Sequence, residues 1–132
     1  MIALDTNVLV RLLVEDDADQ FTKATAVLER AADAEEPCFI SDAVLCETAW
    51  VLASRYGAGR AEILAAMSEL AGDGRYAFDD PEALAEALGA FEDGRADFAD
   101  YLIGASARRR GARTTYTFDR KLENHESFTF LR

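Results

Sequence analysis

Short apolar runs alternate with longer amphipathic segments along the whole chain, and this alternation limits the possible folds more than any other feature. The short runs are rich in β-branched and aromatic residues, which predicts strands. The longer segments repeat their apolar residues at helical spacing, which predicts helices. Strands that alternate with helices indicate a parallel sheet covered on both faces. We therefore predict an α/β protein, a three-layer α/β/α sandwich.

The predicted elements cover most of the chain. The strands are expected at 2–4, 37–41, 75–78, 113–118 and 127–131. The helices are expected at 7–14, 19–34, 42–56, 60–71, 81–91 and 97–110. No internal repeat, low-complexity segment or linker interrupts them, so the 132 residues predict a single domain over residues 1–132.

The charge balance excludes one class of nucleic-acid-binding protein. Asp and Glu number 25 against 14 Lys and Arg, a formal net charge of -11. Such a chain does not find nucleic acid by bulk charge, so a role with nucleic acid requires a local basic patch or metal ions.

The chain has no signal-like segment and no apolar run near the roughly 18 residues of a membrane span, and its two cysteines show no motif spacing. These features predict a cytoplasmic protein without a membrane partner.

Several carboxylates follow predicted strands. Asp5 comes directly after the first strand, and Asp119 follows a later one. In an open parallel sheet, ligands bind beyond the carboxyl ends of the strands, so these positions are candidates for a site. Asp79 and Asp80 also follow a strand, but Asp80 precedes Pro81 and is better explained as the N-cap of a helix.

Two further acids lie within predicted helices. Glu47 is the only charge in "AVLCETAWVLAS", and an acid in such apolar surroundings is expected to coordinate a cation or to pair with an arginine. Asp97 and Asp100 lie three residues apart at the start of another helix, which also fits a capping arrangement. Capping explains Asp97 well. It explains Asp100 less well, because the residues around Asp100 are largely apolar.

Together, Asp5, Glu47, Asp100 and Asp119 predict a site made of carboxylate oxygens. Like charges brought together require protonation or bound cations, and an all-oxygen site suits Mg²⁺ or Mn²⁺. His125 is the only histidine, and its polar loop predicts solvent exposure. Clustered carboxylates without catalytic histidine fit metal-assisted hydrolysis of phosphodiesters better than metal-free acid–base catalysis.

Four segments in this order resemble the PIN-domain family, and more narrowly the VapC ribonuclease toxins of toxin–antitoxin modules. They are "LDTNVLVRLL", "ISDAVLCETAWVL", "ADFADYLIGASA" and "TFDRKL". The resemblance implies a five-stranded parallel sheet, Mg²⁺-dependent endonuclease activity on RNA, a homodimer and an antitoxin partner. It places Asp5, Glu47, Asp100 and Asp119 in the family's acidic quartet, with Asp97 as an accessory acid. It gives Thr6, Asn7 and Thr117 supporting polar roles.

Two other hypotheses about the function remain. A receiver-like phospho-acceptor would use Asp5, Asp79 and Lys121, but it leaves Glu47 and Asp100 unexplained. A PIN-like fold that only binds protein or RNA is disfavoured by the complete quartet.

Six of the 14 basic residues lie near the end of the chain, where they predict either a solvated helix end or contacts with phosphate. They are Arg108, Arg109, Arg110, Arg113, Arg120 and Lys121. Of these, Arg120 and Lys121 are the better candidates for phosphate contact because they follow Asp119 directly.

Overall fold

The computed structural model describes all residues from Met1 to Arg132, and the chain divides into two compact units, Met1–Asp79 and Asp80–Arg132. The first unit contains β1 (Ile2–Ala3), α1 (Thr6–Leu13), α2 (Ala18–Asp33), β2 (Cys38–Ile40), α3 (Asp42–Tyr56), α4 (Arg60–Ala71) and β3 (Tyr76–Phe78). The second contains α5 (Pro81–Asp93), α6 (Phe98–Arg109), β4 (Thr115–Thr117), a short 3₁₀ helix (Arg120–Leu122) and β5 (Phe128–Phe130).

All strand pairs are parallel. In the first unit β2 lies between β1 and β3, with Cys38 opposite both Ile2 and Tyr76. In the second unit β4 pairs with β5, with Thr115 opposite Phe128. The six helices and the parallel pairs confirm the predicted α/β class. The strands form one sheet of three and one of two, so a single five-stranded sheet in three layers stays a prediction.

The helix boundaries follow from ordinary capping chemistry. The Ser41 hydroxyl accepts a hydrogen bond from the Val44 backbone N–H at 3.2 Å and so begins α3. Gly57 ends α3 in the left-handed region with φ of 65°, where a side chain would be strained. The predicted role of Asp80 is confirmed, because its carboxylate accepts hydrogen bonds from the Glu82 and Ala83 backbone N–H groups.

Each unit has its own apolar packing. In the first, α2 lies against the sheet through a buried cluster of Leu4, Leu28, Ala31 and Cys38. In the second, a chain of ring contacts runs through Phe98, Phe91, Tyr101, His125 and Phe128, with centroids 5.4–6.5 Å apart. No helix of the protein is long and apolar enough to cross a membrane.

The close approach of α6 to Phe128 gives a stability prediction. A Cβ at Gly104 would lie 2.6 Å from the Phe128 ring, whereas a Cβ at Gly89 of α5 would meet nothing within 4 Å. We expect Gly104→Ala to lower the free energy of unfolding by about 1–3 kcal/mol through overpacking. Gly89→Ala, the matched control in a helix, should raise it by roughly 0.5–1 kcal/mol. Urea unfolding of the two variants measures both changes, and equal effects would contradict the packing argument.

Candidate functional site

Asp5 lies between β1 and α1 and caps the helix. Its Oδ1 accepts a hydrogen bond from the Val8 backbone N–H at 3.0 Å, and the side chain is exposed. It also lines a cavity of about 330 Å³ together with Asn7 and Val8. Capping occupies one carboxylate oxygen and leaves the other for a ligand, so it is compatible with the predicted place of Asp5 in a site.

Glu47 lies on α3, and its surroundings differ from those expected. Both Glu47 and Trp50 are exposed, the latter at 65%. The expectation that Glu47 lies in apolar surroundings is therefore wrong, because α3 buries the face formed by Leu45, Thr48 and Leu52 instead. The expected alternative, an ion pair with an arginine, is also absent, since Glu47 forms no salt bridge. The carboxylate is accessible and unpaired.

Asp100 lies in the first turn of α6 and is half-buried, next to the buried Tyr101 and Leu102. Its Oδ2 accepts a hydrogen bond from the Asp97 backbone N–H at 3.2 Å, which is one half of a capping box. Burial raises the pKa of Asp100, and the nearby carboxylates of Asp97 and Asp119 raise it further. The Asp97 N–H and the Lys121 ammonium act in the opposite direction without cancelling that effect. The folded protein thus disfavours the charged form of the Asp100 carboxyl.

Asp119 follows β4 and begins the 3₁₀ helix. Its Oδ1 accepts a hydrogen bond from the Lys121 backbone N–H at 2.9 Å. Its own N–H donates to Thr117 Oγ1 at 3.0 Å, so Thr117 positions the backbone that carries the acid. This contact agrees with the supporting role expected for Thr117. Asp119, like Asp5, keeps one carboxylate oxygen free of hydrogen bonds.

These carboxylates fit a divalent cation by their chemistry. Within the second unit, Asp97 and Asp119 are close enough to Asp100 to raise its pKa, and all three offer oxygen, the ligand that Mg²⁺ and Mn²⁺ prefer. No three His, Cys, Asp or Glu side chains form a group that could hold a metal ion by themselves. A cation here would keep several waters, as Mg²⁺ usually does.

The structure assigns Asp79 a different contact. Its Oδ2 accepts a hydrogen bond from the Asp42 backbone N–H at 2.8 Å, at the first residue of α3. One oxygen of this carboxylate is therefore occupied in supporting a helix N-terminus. The contact gives Asp79 a structural role in the first unit, and its other carboxylate oxygen, like those of Asp5 and Asp119, accepts no hydrogen bond.

His125 is not the exposed loop residue that the sequence predicts. Its ring is half-buried and contacts Tyr101 and Phe128, with centroids 5.4 and 5.7 Å away. Its Nδ1 accepts a hydrogen bond from the Ser127 backbone N–H at 3.1 Å. The expectation failed because its main ring partner, Tyr101, lies far away in sequence on α6. No local signal near "ENHES" could have indicated that contact.

The arginine run is divided between paired and unpaired side chains. Arg108 forms salt bridges with Glu86 and Glu126, and Arg109 with Asp80 and Glu82. These two arginines have acidic partners within the second unit and are therefore poor candidates for phosphate contact. Four basic side chains of the six form no salt bridge: Arg110, Arg113, Arg120 and Lys121.

Comparison with known proteins agrees with these observations. Residues 2–126 match the PIN domain family. PIN domains are generally nuclease domains and typically use divalent metal ions. No curated protein matches the chain.

Proposed function

The chain belongs to the PIN-domain family, and we propose from that premise that it is a Mg²⁺- or Mn²⁺-dependent endoribonuclease, the toxin of a VapC-type toxin–antitoxin pair. The observation that carries the proposal is the state of Asp100. Its carboxylate is half-buried, its pKa is raised by burial, and the nearby carboxylates of Asp97 and Asp119 add to that rise. A bound cation stabilises the charged form of such a group.

In this proposal the four carboxylates of Asp5, Glu47, Asp100 and Asp119 hold the cation, and residues 1–132 act as one functional domain. The family match supports this, because residues 2–126 include all four acids and nearly all of both units. The single five-stranded sheet in three layers belongs to the same proposal.

The chain's own groups have separate tasks. When bound, the divalent cations supply an activated water for attack on phosphorus and neutralise charge on the scissile phosphate. Thr117 keeps Asp119 in place through the Asp119 N–H, and Val8 fixes the orientation of Asp5. Held in this way, the carboxylates lose little freedom when the substrate arrives.

The proposed reaction predicts the chemistry of the cut ends. We expect RNA incubated with the purified protein and Mg²⁺ to be cleaved to products with 5′-phosphate and 3′-hydroxyl ends, because the attacking group is water. EDTA should abolish the cleavage, and Mn²⁺ should restore it. Adapter ligation, which distinguishes the possible ends, measures the outcome. Products ending in a 2′,3′-cyclic phosphate would exclude the proposal, since they arise from attack by the neighbouring 2′-hydroxyl.

The partner proposal rests on the family resemblance and on charge. We propose a homodimer and a small antitoxin protein that places a basic or aromatic segment near the carboxylates, which neutralises their charge. Purification of the tagged protein from its native operon should therefore yield a bound small protein. Multi-angle light scattering of the complex checks the dimer. Repeated purification without such a partner would remove the main support for the toxin assignment, while leaving the nuclease proposal to its own test.

A further inference from the structure

The second unit contains a cavity of about 670 Å³ whose charge is opposite to that of the chain as a whole. Three basic side chains line it against a single acid, in a protein of net charge -11. The lining residues that matter here are Asp93, Arg95, Tyr101, Arg120, Lys121 and His125. A local excess of positive charge is the feature that so acidic a chain requires for contact with a polyanion.

Two of these cations have their charge available for a ligand. Lys121 forms no salt bridge. The Arg120 guanidinium lies over the Phe130 ring, 5.1 Å from its centroid, and also has no carboxylate partner. The ring restricts the guanidinium without neutralising it, so its N–H donors remain free for phosphate oxygens. Arg108 and Arg109, by contrast, have their charge satisfied by four acids.

The wall behind these cations is held in place by hydrogen bonds. The Tyr101 hydroxyl accepts hydrogen bonds from the backbone N–H groups of Arg95 and Ala96, at 3.1 and 3.2 Å. His125 Nδ1 accepts from Ser127, which in the neutral ring leaves the proton on Nε2. The imidazole is therefore a fixed donor among the residues that line the cavity, together with the cations of Arg120 and Lys121. Fixed donors beside cations are a common means of orienting a phosphate.

The cavity lies beside the carboxylates of the same unit. Lys121 follows Asp119 by two residues, and its ammonium is close enough to Asp100 to affect the charge of that carboxyl. A polyanion held by Lys121 would therefore lie next to both acids. From this placement we propose that the cavity binds backbone phosphates of single-stranded RNA next to the cleaved bond, with Arg120 and Lys121 as the phosphate contacts. The proposal rests on the nuclease function proposed above.

The test measures binding without catalysis. A fluorescent single-stranded RNA is titrated with the protein of residues 1–132 in EDTA, and fluorescence anisotropy is followed over a range of salt concentrations. Arg120→Gln/Lys121→Gln removes the two proposed contacts, and Arg110→Gln/Arg113→Gln is a control that removes the same charge from exposed, unpaired arginines outside the cavity. All four side chains are exposed, so both variants should fold, and their melting temperatures check this.

We expect the cavity variant to bind RNA at least about tenfold more weakly. The slope of log K against log salt should become shallower by about 1.4, since each lost phosphate contact on a single strand removes roughly 0.7. The control variant should keep its slope and stay within about twofold of the original affinity. Equal losses in the two variants would show that bulk charge alone acts, and no loss in the cavity variant would show that RNA lies elsewhere. Either result would overturn the proposal.

A competition experiment separates RNA from free phosphate as the ligand. Inorganic phosphate should displace the RNA no better than chloride at equal ionic strength, and stronger displacement would assign the cavity to free phosphate instead. Cleavage in Mg²⁺ is measured separately. If the cavity variant binds RNA more weakly but the original protein does not cleave RNA, the nuclease function alone is rejected. If the protein cleaves RNA but the cavity variant binds RNA as tightly as the original, this inference alone is rejected.

Discussion

The substitution Asp5→Asn should reduce Mg²⁺-dependent RNA cleavage by at least about a hundredfold. The substitutions Glu47→Gln, Asp100→Asn and Asp119→Asn should have the same effect. Loss of a group that merely supports a metal ligand lowers metal affinity or activity by roughly 10–100-fold, so loss of a ligand itself should exceed that range. Single-turnover cleavage of a labelled RNA measures the effect. Each amide keeps the approximate shape of the acid, and Glu47 is exposed and unpaired, so its variant should keep its stability.

A double variant tests whether acids from the two units serve one site. Asp5 belongs to Met1–Asp79 and Asp100 to Asp80–Arg132. Groups that act as a unit are strongly non-additive, so Asp5→Asn/Asp100→Asn should be no slower than the slower single variant. Multiplied losses would show that the two acids act independently, which contradicts a shared metal site.

Asp79→Asn is the matched control for this series. Asp79 also follows a strand directly, but its carboxylate accepts a hydrogen bond from the Asp42 backbone N–H. The variant should therefore retain both cleavage and most of its stability, because the amide oxygen can still accept the hydrogen bond from the Asp42 N–H. Loss of cleavage comparable to that of Asp5→Asn would show that the activity requires Asp79 and that the four acids do not form the complete site.

The sequence predicts the elements well because their signals are local. Ser41, Gly57 and Pro81 act on adjacent backbone, and the helices that they bound are those predicted. The strands are shorter than predicted, because only two or three residues of each pair with a neighbour. The joining of all strands into one sheet depends on contacts between distant segments, which local periodicity does not encode.

The candidate site was predictable to a different degree at each residue. The partial burial of Asp100 follows from its neighbours Tyr101 and Leu102, which are buried as apolar residues on a helix usually are. The same argument fails at Glu47, because Trp50 is exposed, and an apolar pattern alone cannot distinguish a core face from an uncovered one. The pairing of Arg108 with Glu86 was also unpredictable, since the two residues lie 22 positions apart.

The substitution Asp100→Asn should raise the melting temperature of the protein in EDTA. The carboxylate is half-buried near Asp97 and Asp119, and the variant removes one negative charge from that group. The amide oxygen can still accept the hydrogen bond from the Asp97 N–H, so little capping is lost. Asp97→Asn is the control. It also removes one charge at the start of α6, but from an exposed N-cap where Asn is as good as Asp, so its effect should be smaller.

The pH dependence of stability should change in the same variant. Because burial raises the pKa of Asp100, the folded protein retains a proton there at pH values where the unfolded chain has lost it. The folded state then binds more protons, so the free energy of unfolding falls as pH rises from the ordinary carboxyl pKa through the raised one. Asp100→Asn should remove this decline. Urea unfolding at a series of pH values in EDTA measures this decline. If the variant shows the same decline as the original protein, Asp100 is not its cause.

Addition of Mg²⁺ then separates a ligand from a cap. A cation that binds only the folded state stabilises it by RT ln(1 + [L]/Kd), about 2.7 kcal/mol at a hundredfold excess over Kd. If Asp100 is a ligand, the variant should lose most of this gain and its RNA cleavage, while its far-UV spectrum stays unchanged. If Asp100 only completes the helix start, the substitution should leave the Mg²⁺ response intact, because the amide oxygen still accepts the hydrogen bond from the Asp97 N–H. The two roles thus predict different responses to Mg²⁺. An undiminished response to Mg²⁺ in the variant would remove Asp100 from the metal site.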